Sequence, residues 1–251
     1  MFETALRYLV DSDDGTESLL IGGLLTLLSW LLVPAVLVAG YLQRILARTY
    51  AGDRAPSFDD WGDLLREGLK AIAVTLAYFA LPILLLTAVL ASLLIVSVEN
   101  TVLDSSTVTD PSTVVEPVAN VGPDLLSVVV VLGGLALAAL SSLAAWYVLP
   151  AALARLAVEG RLGAAFQFRK IGAVATSGSY ATGWLSALVV HLVAGGLVGG
   201  LASIPFVGWA LVPFVAFYAN TVAFSLYGQG YRDATPTGRG GTVDGDRRVT
   251  A

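Results

Sequence analysis

The chain has 251 residues, 56% of them hydrophobic and only 13% charged, with a net charge of −5 and no cysteine. Soluble domains carry about 25% charged residues, so this composition excludes an ordinary water-soluble fold. The missing cysteines exclude disulfides, thiolate chemistry and cysteine-ligated metals, and no basic patch suggests nucleic acid binding.

The chain opens with an acidic tail, residues 1–18, in which Arg7 stands against five acids. It lacks the basic start, short apolar core and small-residue cleavage site of a cleaved signal peptide. A bilayer crossing needs about 20 apolar residues. Five stretches meet that length: about Leu19–Gln43, Leu69–Val98, Leu125–Leu149, Tyr180–Ala202 and Pro205–Gly228. The expectation is an all-α membrane bundle of five spans over residues 19–231, followed by a disordered polar tail, 232–251. Pro34 interrupts the first stretch, so a short hairpin or re-entrant pair, giving six segments, is the alternative. The second stretch is long enough to tilt or kink at Pro82. The third is expected to end at Pro150.

Basic residues set orientation. Arg44, Arg48, Arg54, Arg66 and Lys70 lie between the first and second spans. Arg155, Arg161, Arg169 and Lys170 lie between the third and fourth. Arg232, Arg239, Arg247 and Arg248 follow the fifth. All three regions fall on one face, which should be the cytoplasmic side of the cell membrane. The Glu99–Asp124 loop has acids but no Lys or Arg, and should lie outside. SIPFVGW makes a tight external turn between the last two spans. With five crossings the N-terminus is also outside.

The charged block Gly52–Lys70 reads as an amphipathic helix capped by Ser57, with Asp60 three residues on. At about 100° per residue, Phe58, Trp61, Leu64, Leu65, Leu69 and Ile72 share one face. Asp59, Asp60, Asp63, Arg66, Glu67 and Lys70 share the other. Such a helix lies in the interface before turning into the second span, as a simple entry device or as a docking surface for a partner. Its polar face has four acids against two bases, unlike the Lys/Arg clusters that recognise anionic lipid surfaces.

Leu46-Ala47-Arg48 and Leu153-Ala154-Arg155 end two spans about 107 residues apart. Each is followed by a glycine (Gly52, Gly160), an aromatic (Phe58, Phe166), a cytoplasmic helix and a span. This is the pattern of a parallel internal repeat. The chain also resembles an uncharacterised archaeal and bacterial membrane family, domain-of-unknown-function family four thousand and thirteen. The likeness rests on Ile21-Gly22-Gly23, Gly40-Tyr41 with Arg44, Pro56-Ser-Phe-Asp-Asp-Trp61, Gly68-Leu-Lys70, Tyr180 and Gly228–Tyr231, and covers about Leu19–Arg232. The resemblance implies several spans and no assigned activity. It supplies no catalytic residue.

His191 is the only histidine and lies mid-span, where an ionisable group is a functional candidate by default. Counted from the turn at Ile204–Pro205, its depth matches that of Tyr218 and Asn220. A hydrogen bond across the last hairpin is expected, as a satisfied packing contact or as a proton or substrate site. Gly195 and Gly199, with Gly196 and Gly200, make small-xxx-small pairs that let another helix approach. No second His, Cys or carboxylate accompanies His191 within a span, so neither a metal nor a cofactor is expected. No base accompanies Ser141-Ser142 or Ser177–Ser179, so a serine nucleophile has little support. The expected function is therefore non-enzymatic, acting through assembly with itself or other membrane proteins. The alternative is a small transporter or permease with a polar site around His191.

Overall fold

The computed structural model describes residues 2–9, 12, 14–106 and 125–235. Most of the acidic loop, 107–124, and the tail beyond Thr235 lie outside the described residues. Regular structure among those described is helical: α1 (Phe2–Arg7), α2 (Gly15–Leu27), α3 (Leu32–Ala51), α4 (Trp61–Ser106), α5 (Leu125–Glu159), a 3₁₀ turn (Leu162–Phe166), α6 (Phe168–Ala175), α7 (Gly178–Ala202) and α8 (Val207–Ala234). The helices α4, α5, α7 and α8 are long and apolar enough to cross a bilayer. Large apolar side chains such as Leu84 on α4, Leu132 on α5 and Leu192 on α7 are exposed. Water would penalise so much bare apolar surface, whereas lipid accepts it.

The first apolar run departs from the expected single span. It breaks at Leu28–Leu31, leaving α2 and α3 as separate helices. Pro34 explains the place. In a continuous helix its ring would strike the carbonyl of Trp30, whereas in the first turn of α3 its missing N–H costs nothing. At about 1.5 Å per residue, α2 is roughly 20 Å long, short of the roughly 30 Å hydrocarbon core. The chain turns back through a bond from the Leu31 N–H to the Leu28 carbonyl of 2.9 Å. Both α2 and α3 then pack on α8.

By contact the chain forms two compact units: Met1–Thr75 with Tyr147–Ala251, and Leu76–Trp146. The second unit holds α4 from Leu76 to its end and α5 as far as Trp146, with an apolar groove of about 300 Å³ between Phe79–Leu86 and Leu135–Ser142. The first unit holds the main core. Its centre is Leu9, Leu37, Tyr41, Leu42, Ile45, Phe58, Leu64 and Phe217. The most enclosed of the four long helices is α8, with 39% of its most apolar window buried, against 17% in α4 and 11% in α5 and α7.

Glycines set the closest approaches. A Cβ on Gly22 would strike the Phe217 ring, and one on Gly40 would strike the Leu64 carbonyl. One on Gly68 would strike the Val36 carbonyl. Gly40 and Gly68 thus let α3 and α4 touch backbone to backbone. Gly183 and Gly230 do the same for α7 and α8: a Cβ on Gly183 would stand 2.8 Å from the Leu226 carbonyl and 3.0 Å from the Gly230 Cα.

Three other expectations change. Helix α4 starts at Trp61, not Ser57, and runs unbroken into its apolar stretch, so no separate interfacial helix precedes it. Helix α5 continues through Pro150 to Glu159. The segment after Gly160 is a 3₁₀ turn and the short helix α6, joined at Gln167.

Candidate functional site

The charged block forms a strap over α3. Gly52, at φ +85°, ends α3 in the left-handed conformation that glycine tolerates. The chain then doubles back. Phe58 leaves the expected helical face and stacks on Tyr41 with ring centroids 4.1 Å apart, and it is buried. The Tyr41 hydroxyl donates to the Pro56 carbonyl at 3.0 Å. Aromatic stacking and a buried hydrogen bond together outweigh the local helix signal of Ser57. Ser57 instead donates to the Asp59 carboxylate.

Arg44 fixes the end of the strap. Its Nε donates to Glu67 Oε2 at 3.1 Å, Nη1 to the Asp59 carbonyl at 2.6 Å, and Nη2 to the Asp60 carbonyl at 3.3 Å. Asp60 has φ +52°, a region non-glycine residues seldom occupy. The fork of Arg44 holds both carbonyls at this turn, as a point-charge ammonium would not. Of the expected apolar face, Phe58 and Leu64 are buried in the core, while Trp61, Leu65 and Leu69 are exposed.

Basic segments distant in sequence meet here. Lys70 Nζ donates to the Gly160 carbonyl at 2.9 Å, and Arg232 Nη1 to the Thr49 carbonyl at 3.2 Å. Gln43 Nε2 donates to the Leu153 carbonyl at 2.7 Å. Arg155, nearly buried, pairs with Glu159 and donates to Gln167 Oε1 at 2.8 Å. Residues of the three regions that the charge count grouped on one face are thus in direct contact within one unit. Gly160, at φ +67°, ends α5 as Gly52 ends α3.

The three mid-helix candidates converge only in part. His191 Nδ1 lies 2.9 Å from the Ala187 carbonyl, and Nε2 lies 3.5 Å from Asn220 Oδ1. The carbonyl only accepts, so this contact is a hydrogen bond in the tautomer that carries its proton on Nδ1. Asn220 Nδ2 donates to the Ala216 carbonyl at 2.8 Å, which leaves Oδ1, another acceptor, facing Nε2. Tyr218 does not join them: its hydroxyl donates to the Leu6 carbonyl at 2.6 Å and so ties α1 to α8. Gly195, Gly196, Gly199 and Gly200 meet nothing within 4 Å among the described residues. Among the described residues, no group of three or more His, Cys, Asp and Glu is placed to hold a metal ion.

Gln43 was invisible as a site residue in the sequence, where it merely ends an apolar run. Its one available signal is an amide lying three turns into a helix, beside the apolar Leu42, Ile45 and Leu46.

The family described as "Protein of unknown function (DUF4013)" matches residues 27–204, more than two thirds of the chain. The chain belongs to that family. The match takes in Gly40-Tyr41, Arg44, Pro56–Trp61 and Gly68–Lys70, the residues that build the strap. Ile21–Gly23 and Gly228–Tyr231 lie outside it. No curated protein matches the chain. No solved structure matches it either.

Proposed function

We propose that this protein is a multi-pass component of the cell membrane, non-enzymatic, that acts by assembling with another copy or with other membrane proteins. The observation that carries this reading is the bare glycine face of α7. Gly195, Gly196, Gly199 and Gly200 have open space where side chains would stand. Facing lipid, a glycine gives up apolar contact and helix propensity; facing a second helix, it permits backbone approach. The exposed Leu192 flanks the same face.

The proposed threading has four crossings by α4, α5, α7 and α8, with α2 and α3 as a hairpin entering and leaving on one side. The N-terminus then shares the cytoplasmic side with the basic segments, in place of the outside position that five crossings would give. The matched glycine endings of α3 and α5 also support a parallel repeat.

The test is the mass of the particle extracted in native bilayer discs. The wild type should exceed one 26.1 kDa chain. The Gly196→Leu, Gly199→Leu double variant should fall to a single chain. A wild type that is itself a lone chain overturns the reading.

One observation favours a second reading, a small permease. The His191 ring lies between two acceptors, and a neutral imidazole can donate to only one of them. A bound water, a proton or a substrate donor would complete the contact with Asn220. Under this reading His191→Leu abolishes substrate-dependent stabilisation; an unchanged response rejects it.

A further inference from the structure

A small cavity of about 80 Å³ lies where α3, α4 and the end of α5 meet, lined by Gln43, Arg44, Glu67, Lys70 and Gly160 among others. Gln43 is 4% exposed. Its amide orientation is fixed, because Nε2 must face the Leu153 carbonyl at 2.7 Å. Its Oε1 is buried and has no partner. A buried acceptor without a donor costs about 1–3 kcal/mol, so something with an N–H or O–H belongs beside it.

The charges say what else that group carries. Arg44 gives three of its five N–H donors to Glu67 and two backbone carbonyls, and its charge is paired with Glu67. Lys70 has three N–H donors and spends one on the Gly160 carbonyl, at 2.9 Å. With Arg44 and Glu67 offsetting each other, the cavity has a net positive charge from Lys70. A group that completes it is an anion carrying its own hydroxyl. The volume suits one such group or about two waters, at roughly 30 Å³ per water.

We propose that this cavity binds a phosphate group bearing a hydroxyl donor, its oxygens on Lys70 Nζ and its O–H on Gln43 Oε1. Its source is a lipid headgroup. Leu69 on α4, and Val158 and Leu162 on either side of Gly160, are exposed apolar neighbours that acyl chains would cover. Lys70 also adjoins the apolar run of α4, at the level where headgroups begin. The site is one buried pocket, so it does not need the clustered surface bases that the strap lacks.

The test uses the full chain in a neutral detergent, with its unfolding temperature measured against added lipid. Phosphatidylglycerol should raise that temperature, and phosphatidylcholine, which has no donor, should not. Lys70→Met should weaken the phosphatidylglycerol response about tenfold in concentration, the loss expected for a charge-assisted hydrogen bond. Gln43→Met, which removes the orphan acceptor and keeps the volume, should erase the preference over phosphatidylcholine. If Lys70→Met does not fold, Gln43→Met decides alone. A response to inorganic phosphate equal to that of phosphatidylglycerol assigns the same chemistry to a free ion and overturns the lipid source. Equal responses to both lipids, no response to any of the three, or wild-type responses in the variants overturn the site.

Discussion

Helix α7 carries two sets of glycines that differ in what they face. Gly183 meets Gly230 of α8 closely enough that a Cβ would stand 3.0 Å from the partner's Cα. Gly195, Gly196, Gly199 and Gly200, further along the same helix, meet nothing described within 4 Å. A glycine used inside the chain is recognised by the collision its replacement would cause. A glycine without such a collision is free to serve a contact with another chain, and under the proposed function that difference divides folding from assembly.

Substitutions sharpen the contrast, and the largest effects should come from the filled positions. Gly40→Ala and Gly68→Ala drive a Cβ into a backbone carbonyl that cannot rotate away. Each should cost about 3 kcal/mol or more, at the upper end for overpacking, and prevent recovery of folded protein from detergent. Normal thermal unfolding of either variant would break the comparison at its filled end.

The strap comes next. Arg44→Lys keeps the charge but cannot reach Glu67, Asp59 and Asp60 together. It should lower stability by about 1–3 kcal/mol, read as a lower unfolding temperature and faster proteolysis between Gly52 and Asp60. Tyr41→Phe removes the hydroxyl that holds the Pro56 carbonyl and keeps the stack on Phe58. A loss of about 1 kcal/mol is expected.

The smallest effect belongs to the open set. Gly195→Ala and Gly199→Ala meet no collision among the described residues. Helix propensity should make each neutral to about 1 kcal/mol stabilising in a dispersed monomer. The same variants should weaken association, so stability and particle mass should move in opposite directions. If Gly199→Ala unfolds the monomer, the open set is internal packing after all.

Much of the architecture was legible from apolar runs alone. The helices α4, α5, α7 and α8 follow the expected spans, because length and hydropathy are local properties. The first run was not legible as one element. Its composition is uniform, and only Pro34 hints that α2 and α3 part at Leu28–Leu31. The strap misled for a different reason. Ser57, Asp60 and the spacing of Phe58 with Trp61 and Leu65 satisfy every local rule for a helix start. Tyr41 and Arg44, which take Phe58 and the 59–60 carbonyls out of that helix, act across 15 to 17 residues of sequence. The partnership of His191 with Asn220 was readable from depth about the turn at 203–206. Depth alone could not say that Tyr218 points to Leu6 instead. The glycine periodicity of α7 was visible, but which glycines are filled depends on where α8 lies.

The most direct test of the assembly claim is the local environment of the open face in a bilayer. The chain has no cysteine, so a single introduced cysteine takes a spin label at one site only. A label at Leu192, on the face of Gly195 and Gly196, is compared with one at the exposed Leu137 of α5. Assembly predicts an immobilised label at Leu192, shielded from dissolved oxygen, beside a mobile, oxygen-accessible one at Leu137. Equal mobility and equal oxygen access at the two positions would mean that the glycine face meets only lipid, and would contradict the account.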